Sequence, residues 1–391
     1  MRNRYKFGQM IIAALNAAAI IGTVILTAAG GSEAASRKYN FTAERTEKGS
    51  KYDYGQVSCF FGDDAGFDRN SAEGVKNQVY SALKNVSVIP EEGEEMVFHA
   101  YSAEAGTAVI NGDRKGQSEA RVTAVGGDFF LFRGFTLLDG SFFSDGNLLK
   151  DGAVIDKELA WRLYGSVDIA GEKIYIYGSE LYISGVIDTP SDKLEKKSVD
   201  DTPRAYISYE AAGPIFGTVS SDTLDGAEAR QPEFSEVTCY ECVIPEPVEH
   251  FAYNTVKGQL ADMYKGSISI VNNSERFLPS KRAKALKKLD RYIIRNDDIV
   301  YPFWENASRL AEIRLSFIYG ARRLLLAIPL ITFICMLASA YKWFRQNKKA
   351  LRDAIERFFS SKMRKLREKN KKAEDIREES SEKESEQTKE S

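Results

Sequence analysis

Apolar positions along this chain fall into three regimes: two unbroken runs near the ends, shorter alternating or helically spaced segments between them, and a thinning stripe after the second run. The first run, QMIIAALNAAAIIGTVILTAAGG, has about the length that crosses a bilayer. Arg2, Arg4 and Lys6 precede it, which predicts a cytoplasmic N-terminus. Thr27, Ala28 and Ala29 offer a cleavage site, yet the run exceeds the usual apolar core of a signal peptide and favours an uncleaved anchor. The second run, LLLAIPLITFICMLASAY, occupies 324–341 without a charge. Lys342, Arg345, Lys348, Lys349 and Arg352 follow it, against Arg322 and Arg323 before it, so this flank too is predicted to be cytoplasmic. Pro329 would kink a soluble helix and is tolerated in a span. The topology is in–out–in, with both termini cytoplasmic, the chain in the cell membrane and the central domain extracytoplasmic.

Between the runs the pattern is mixed. YGQVSCFF (54–61) alternates as a strand. NSAEGVKNQVYSALKN (70–85) is a helix: Asn70 or Ser71 caps it, and Val75, Val79 and Leu83 recur every fourth residue. VSVI, EMVFHAYSA, TAVINGD and EARVTAV follow as strands, with a turn at 111–113. SEVTCYECVI is another strand, HFAYNTVKGQLADMY a helix and GSISIVNN a further strand. A strand–helix–strand unit at each end of a long insertion predicts an α+β fold, a split βαβ domain with an inserted subdomain, flanked by two transmembrane helices. Residues 189–203 and 211–232, rich in Ser, Asp, Gly and Pro, read as loops or edges of that subdomain.

KRAKALKKLDRYIIRND, started by Pro279 or Ser280, predicts a basic helix, and ENASRLAEIRLSFIYGARR predicts a stalk helix continuous with the second span. Beyond the span, Leu351, Ile355, Phe359, Met363 and Leu366 keep helical spacing among basic residues, the signature of an amphipathic helix that lies on an anionic leaflet or pairs with another helix. The final residues are Glu, Ser and Lys with one aliphatic, Ile376, and cannot bury enough apolar surface to fold alone. The domains are therefore 1–31 (cytoplasmic N-terminus and first span), 32–279 (extracytoplasmic domain), 280–322 (stalk helices), 323–341 (second span), 342–372 (basic amphipathic helix) and 373–391 (disordered charged tail).

Composition narrows the chemistry. A formal charge of −2 and the lack of a basic stripe argue against nucleic acid as the main partner. His99 and His250 lie far apart in sequence and leave little for a histidine metal site or triad. No phosphate-cradling GxxxxGK[ST], no GxSxG elbow and no HExxH occurs. FGDDAGFDRN lacks the acid spacing of a calcium loop and reads as a turn with a helix cap. Cys239 and Cys242 form a CxxC, but in a strand they point to opposite faces, which suits neither a shared metal nor a thioredoxin-type site. Buried free thiols are the default, with a disulfide from Cys59 to one of the pair left open. No catalytic, cofactor-binding or metal-ligating residue is expected, and the chain does not read as an enzyme.

One stretch, GGDFFLFRGFTLLDGSFF (126–143), joins four glycines to clustered phenylalanines, and DGAVIDKELAWRLYG follows at 151–165. Phe129, Phe130, Phe135, Phe142 and Phe143 flank glycine turns, so a packed core is favoured over a lipid-dipping loop or a base-stacking platform. Asp156 is placed to cap KELAWRLYG, Leu159, Ala160 and Leu163 to form its apolar face, and Gly165 to end it.

In order and spacing these residues resemble the MacB-type periplasmic core domain of MacB/FtsX-class ABC permeases. Val125, Phe129, Phe130, Gly134, Leu138, Gly140 and Phe143 match its first segment. Val154, Ile155, Asp156, Leu159, Ala160, Leu163, Tyr164 and Gly165 match its second, and Asp168, Gly171, Ile174, Gly185, Val186 and RAYISY (204–209) continue it. Ser141 stands where that family has an arginine, which puts any local salt bridge of that arginine in doubt. The resemblance implies a membrane protein that binds a partner or substrate and relays ATP-driven movement for export or mechanotransmission. Its implied partners are an ABC ATPase, a fuller permease subunit, or further copies in a homo- or hetero-oligomer. The family has three spans after the domain and this chain has one, so a stand-alone scaffold or sensor signalling through the cytoplasmic helix is the alternative.

Overall fold

The computed structural model describes residues 2–37, 41–48, 50–63, 65–90, 95–114, 116–188, 193–217, 236–288 and 298–387. They form two compact units, residues 24–323 and residues 1–23 with 324–391.

Among the described residues the larger unit is built on one ten-stranded sheet. Its frame comes from the two chain ends of the domain. Strand β1 (Tyr54–Phe61) lies antiparallel to both β10 (Ile268–Asn272) and β9 (Cys239–Pro245), and β9 is antiparallel to β2 (Phe98–Gly112). Hence β1 and β2 run parallel with β9 between them, the split βαβ arrangement that the two strand–helix–strand units predict. Helices α3 (Arg69–Asn85) and α8 (Phe251–Leu260) cover one face of this frame through Val75, Val79, Leu83, Val256 and Leu260.

The insertion forms the second half. Strand β2 continues into a long hairpin with β3 (Gln117–Gly127), β3 runs parallel to β8 (Arg204–Ser208), and β8 is antiparallel to β5 (Gly152–Asp156). Next come β7 (Ser179–Ile187), parallel to β5, then the edge strand β4 (Leu137–Gly140). Strand β6 (Lys173–Ile176) bonds to β7 and to the far end of β2, closing β2-β3-β8-β5-β7-β6 into a ring. Small and branched residues fill that ring, among them Ala120, Val122, Ile155, Ile174, Ile183 and Ile207, and α5 (Lys157–Tyr164) adds Leu159, Ala160 and Leu163.

Several local expectations need correction. EMVFHAYSA and TAVINGD belong to one strand, because the glycine between them, Gly106 (φ +108), makes a β-bulge and not a break. VSVI is no strand: Val86 is the C-cap of α3, and the amides of Ser87 and Val88 fold back on Lys84 and Leu83. The cap at the other end is Asp68, whose carboxylate accepts from the Ser71 amide, and not Asn70 or Ser71. The stretches read as loops contain α6 (Lys193–Ser198) and α7 (Tyr209–Phe216), while 218–235 lies outside the described residues. The start of the basic helix is α9 (Pro279–Ala285), followed by a 3-10 turn at Leu286–Lys288, and the rest of it, 289–297, lies outside the described residues.

The last helix, α10, runs Phe303–Gln387 without interruption. It includes the stalk and residues 373–387 of the stretch expected to be disordered, while 388–391 lie outside the described residues. Glu, Lys and Arg are strong helix formers, and extending an existing helix carries no nucleation cost. Helix α1 (Arg2–Ala35) holds the first apolar run, and the short α2 (Thr42–Thr46) follows it. In the smaller unit the two apolar segments lie side by side: the Thr332 hydroxyl donates to Asn16 Oδ1 at 3.0 Å, and a Cβ on Gly22 would stand 2.9 Å from Leu325. Residue 16 beside 332 and 22 beside 325 makes the pair antiparallel. Both segments are long and apolar enough to cross a membrane, and their large side chains are exposed.

Candidate functional site

The glycine–phenylalanine stretch begins where β3 ends. Phe129–Arg133 forms the short helix α4, which Gly134 closes in the left-handed region at φ 57°. Phe129 is fully buried, and Phe130, Phe135, Phe142 and Phe143 pack half-buried around it with Tyr206. Leu138 and Gly140 lie on β4, where Gly140 faces Gly185 of β7, next to the buried Val186. A Cβ on Gly140 would meet Ser184 O at 2.2 Å, and one on Gly185 would meet Ser141 O at 2.7 Å, so the two strands approach backbone to backbone. Gly171 (φ +91) turns the chain into β6, and its amide donates to Ile183 O at 2.7 Å.

Val154 and Ile155 are buried on opposite faces of β5, and Asp156 ends the strand. Its Oδ1 accepts from the Leu159 amide at 2.8 Å and its Oδ2 from the Arg204 amide at 2.9 Å. Burial raises its pKa to about 6 although both amides favour the carboxylate. The helix it caps buries Ala160 and Leu163 and ends at Gly165 (φ 69°). These positions shape the fold, and none of them gathers into a reactive cluster.

A different set of side chains does converge. The Arg133 guanidinium sits between the rings of Phe129 and Trp304, 4.7 and 4.0 Å from their centroids, and forms a buried ion pair with Glu241 of β9. Ser58 of β1 donates to Glu241 Oε1 at 2.9 Å, and Asn273 Nδ2 donates to the Ser58 hydroxyl at 2.7 Å. Asn273 Oδ1 accepts from Arg276 Nη1 at 3.4 Å. Arg276 then grips Glu305 with two bonds of 2.7 Å, and its Nε stands 3.2 Å from Glu312. Arg282 Nη1 reaches Glu312 at 2.9 Å, and Arg309 Nε donates to Glu305 at 2.7 Å. The result is one continuous polar chain through the domain, from α4 across β9 and β1 to two turns of α10.

Its electrostatics are those of a closed network. Burial alone would lower the Arg276 pKa, but the Glu305 and Glu312 carboxylates reverse that and hold it above the ordinary guanidinium value. Arg276 and Glu305 side chains are each 2 % exposed, so each charge depends on the other for solvation. Nearby, a cleft of about 590 Å³ opens between the sheet and the start of α10, lined by Arg121, Thr123, Arg204, Tyr301, Phe303 and Trp304 among others. Arg204 stacks on Phe303 there, 4.8 Å from the ring centroid.

The sequence reading singled out none of the network. The available signal was a charge inside an apolar run: Arg133 in FFLFRG and Glu241 in CYECVI. Cys59, Cys239 and Cys242 are free and fully buried, and no disulfide joins them. Cys239 and Cys242 lie in cores on opposite faces of the sheet, and burial pushes both thiols up to about 12.

Among curated proteins none matches the chain. Solved structures match it at low similarity. The periplasmic region of MacB from Actinobacillus actinomycetemcomitans is 12% identical, over 60% of this chain and 92% of that one, with a TM-score of 0.37. The extracellular domain of the ABC-type transporter YknZ from Gram-positive bacteria is 15% identical, over 56% of this chain and 100% of that one, with a TM-score of 0.37. The decisive match is the family model described as the MacB-like periplasmic core domain, which covers residues 17–233. That span is more than half of the 391 residues and includes the glycine–phenylalanine stretch, β5 and its capped helix: the chain belongs to the MacB-like periplasmic core domain family.

Proposed function

We propose that this chain is a permease-like membrane protein of an ABC system, whose domain binds a partner or substrate outside the cytoplasm and relays the resulting movement along α10. The single observation that carries this reading is the two-bond grip of Arg276 on Glu305. It fastens the sheet to a helix that continues without a break into the apolar run at 324–341. A hydrogen-bonded charge pair out of solvent has few alternative geometries, so a displacement of the sheet is passed to the helix instead of being absorbed. In the proposed topology both termini are cytoplasmic and the domain is extracytoplasmic.

A second reading, a scaffold or sensor without transport, draws on the helix beyond the span, where Ile355, Phe358, Phe359, Met363 and Leu366 are all exposed. Purification of the full chain in mild detergent separates the two. Co-purification of an ATPase whose hydrolysis rate falls when Arg276 is replaced by Met supports the relay. Capture of a different protein that is lost on truncation after Lys342 supports the scaffold. Topology is tested by introducing cysteine at Leu148, a position 97% exposed, and asking whether an impermeant maleimide labels intact cells. Protection of that cysteine in intact cells would sink both readings.

A further inference from the structure

Strand β10 is one edge of the sheet, and among the described residues no strand lies beyond it. The Gly62 amide donates to Ser267 O in register with the β1–β10 ladder. Antiparallel strands alternate between pairs that exchange bonds and pairs that do not. Phe60 with Ser269 and Ser58 with Val271 are therefore bonded pairs, and the amides and carbonyls of Ile268, Ile270 and Asn272 face away from β1. Those of Ile270 and Asn272 face a cleft of about 490 Å³, walled on one side by His250, Tyr253 and Asn254 and on the other by Arg282, Arg309 and Glu312.

We propose that this cleft takes a single extended, acidic segment of a partner protein as an eleventh strand. Two features select that occupant. The edge is recessed between walls, so a lone strand about 4.8 Å from β10 fits, whereas the edge of a second copy would bring its own flanking helices into the same walls. Charge supplies the second. Of the residues lining the cleft, Arg276, Lys281, Arg282 and Arg309 are cations and Glu275 and Glu312 carboxylates, so even with Glu305 counted against them one positive charge is in excess. Arg309 also bonds Glu305 and stacks over Tyr301, so its guanidinium is held in place. Because Arg276, Arg282 and Glu312 belong to both the lining and the buried network, a segment bound here touches the side chains that fasten the sheet to α10. The inference names the partner-binding half of the function proposed above, and its test uses no ATPase, so failure here leaves the relay standing.

The experiment uses the full chain in detergent, with fluorescein-labelled blocked peptides (Val-Glu)4 and (Val-Lys)4 as probes. Hydrogen exchange with residue-level fragmentation follows the β10 amides, and light scattering follows the oligomeric state. The acidic peptide is expected to bind at least tenfold more tightly than the basic one. It should slow exchange at Ile268, Ile270 and Asn272 at least tenfold while leaving Ser269 and Val271 unchanged. Lys281→Glu, at a half-exposed side chain, should abolish the preference while the chain still unfolds in one cooperative transition. Ile270→Pro should remove binding, and if that variant does not fold, the exchange pattern decides alone. Equal binding of the two peptides, or no change at the three amides, overturns the proposal. So does a dimer in which those amides are already protected without peptide.

Discussion

Arg276 and Glu305 face each other as a fork against a fork, two bonds of 2.7 Å between groups that solvent scarcely reaches. One lies just after β10 and the other in the first turn of α10. Breaking such a pair from one side strands a buried charge and costs about 3–5 kcal/mol, whereas replacing both partners with apolar groups is far milder. Arg276→Met and Glu305→Leu are each expected to lower the denaturation midpoint strongly, and the double variant to recover much of the loss. A double-mutant cycle by chemical denaturation of the full chain checks this. Additive losses would show that the two side chains do not act as a unit.

Two glycines of the matched family pattern separate conformational strain from close approach. Gly165 and Gly140 both have positive φ, 69° and 72°, but a Cβ on Gly165 meets open space and one on Gly140 meets Ser184 O at 2.2 Å. Gly165→Ala should cost about 1–2 kcal/mol, the usual penalty of the left-handed region. Gly140→Ala adds a backbone collision between β4 and β7 and should cost at least twice as much. Thermal unfolding of the two variants side by side gives the ranking, and a reversed order would refute the geometry at β4.

Two buried groups give the domain opposing responses to acid. Burial, reinforced by Lys76, depresses the His99 pKa to about 3, and no partner satisfies its Nδ1 among the described residues. Between pH 6.5 and 3 the unfolded chain binds a proton that folded His99 refuses, so its contribution is complete above 6.5 and is lost as pH falls. Asp156 behaves oppositely: with its pKa raised to about 6, its contribution is fullest below 3.8 and is lost as pH rises through 6. His99→Gln removes only the first response. Its stability relative to the parent should improve toward acid by up to about 1.4 kcal/mol per pH unit below 6.5, measured as melting curves from pH 7 to 4. A constant difference across that range would mean that His99 is not held neutral.

Between the apolar segments, the single Thr332 hydroxyl proton is shared between Asn16 Oδ1 at 3.0 Å and the Pro329 carbonyl at 2.9 Å. Hydrogen bonds between helices in lipid contribute about 0.6 kcal/mol on average and rarely more than about 2. Asn16→Leu and Thr332→Val should each loosen the pair by that order, with no further loss when combined. Steric-trapping measurements in bicelles would show it, and fully additive effects would mean that the two side chains do not bond.

Much of this was legible in the chain because it depends on local rules. The span lengths, the capped helix from Asp156 to Gly165, the split βαβ frame and the glycine–phenylalanine core follow from periodicity, caps and turn residues. The polar network was not legible. Arg133, Glu241, Ser58, Asn273, Arg276 and Glu305 are scattered over nearly 250 positions, and nothing at each position shows its partner. A charge in an apolar run marks a buried group without telling which distant group satisfies it. The two half-strands EMVFHAYSA and TAVINGD failed for a related reason: Gly106 reads identically as a break or as a bulge until the partner strand is known.

The position of β9 sets a timetable for the chain as it is made. Strands β1 and β2 never touch; each waits for β9 to fill the place between them, and β9 begins only at Cys239. The inserted ring, by contrast, has β8 as its last strand along the chain, and β8 ends at Ser208. Contacts close in sequence form before distant ones, so the insertion can assemble while the older frame still exposes two unfinished edges. A ribosomal stall or a stop between residues 209 and 238 would therefore leave a folded ring attached to a frame that cannot close, a natural substrate for quality-control proteases.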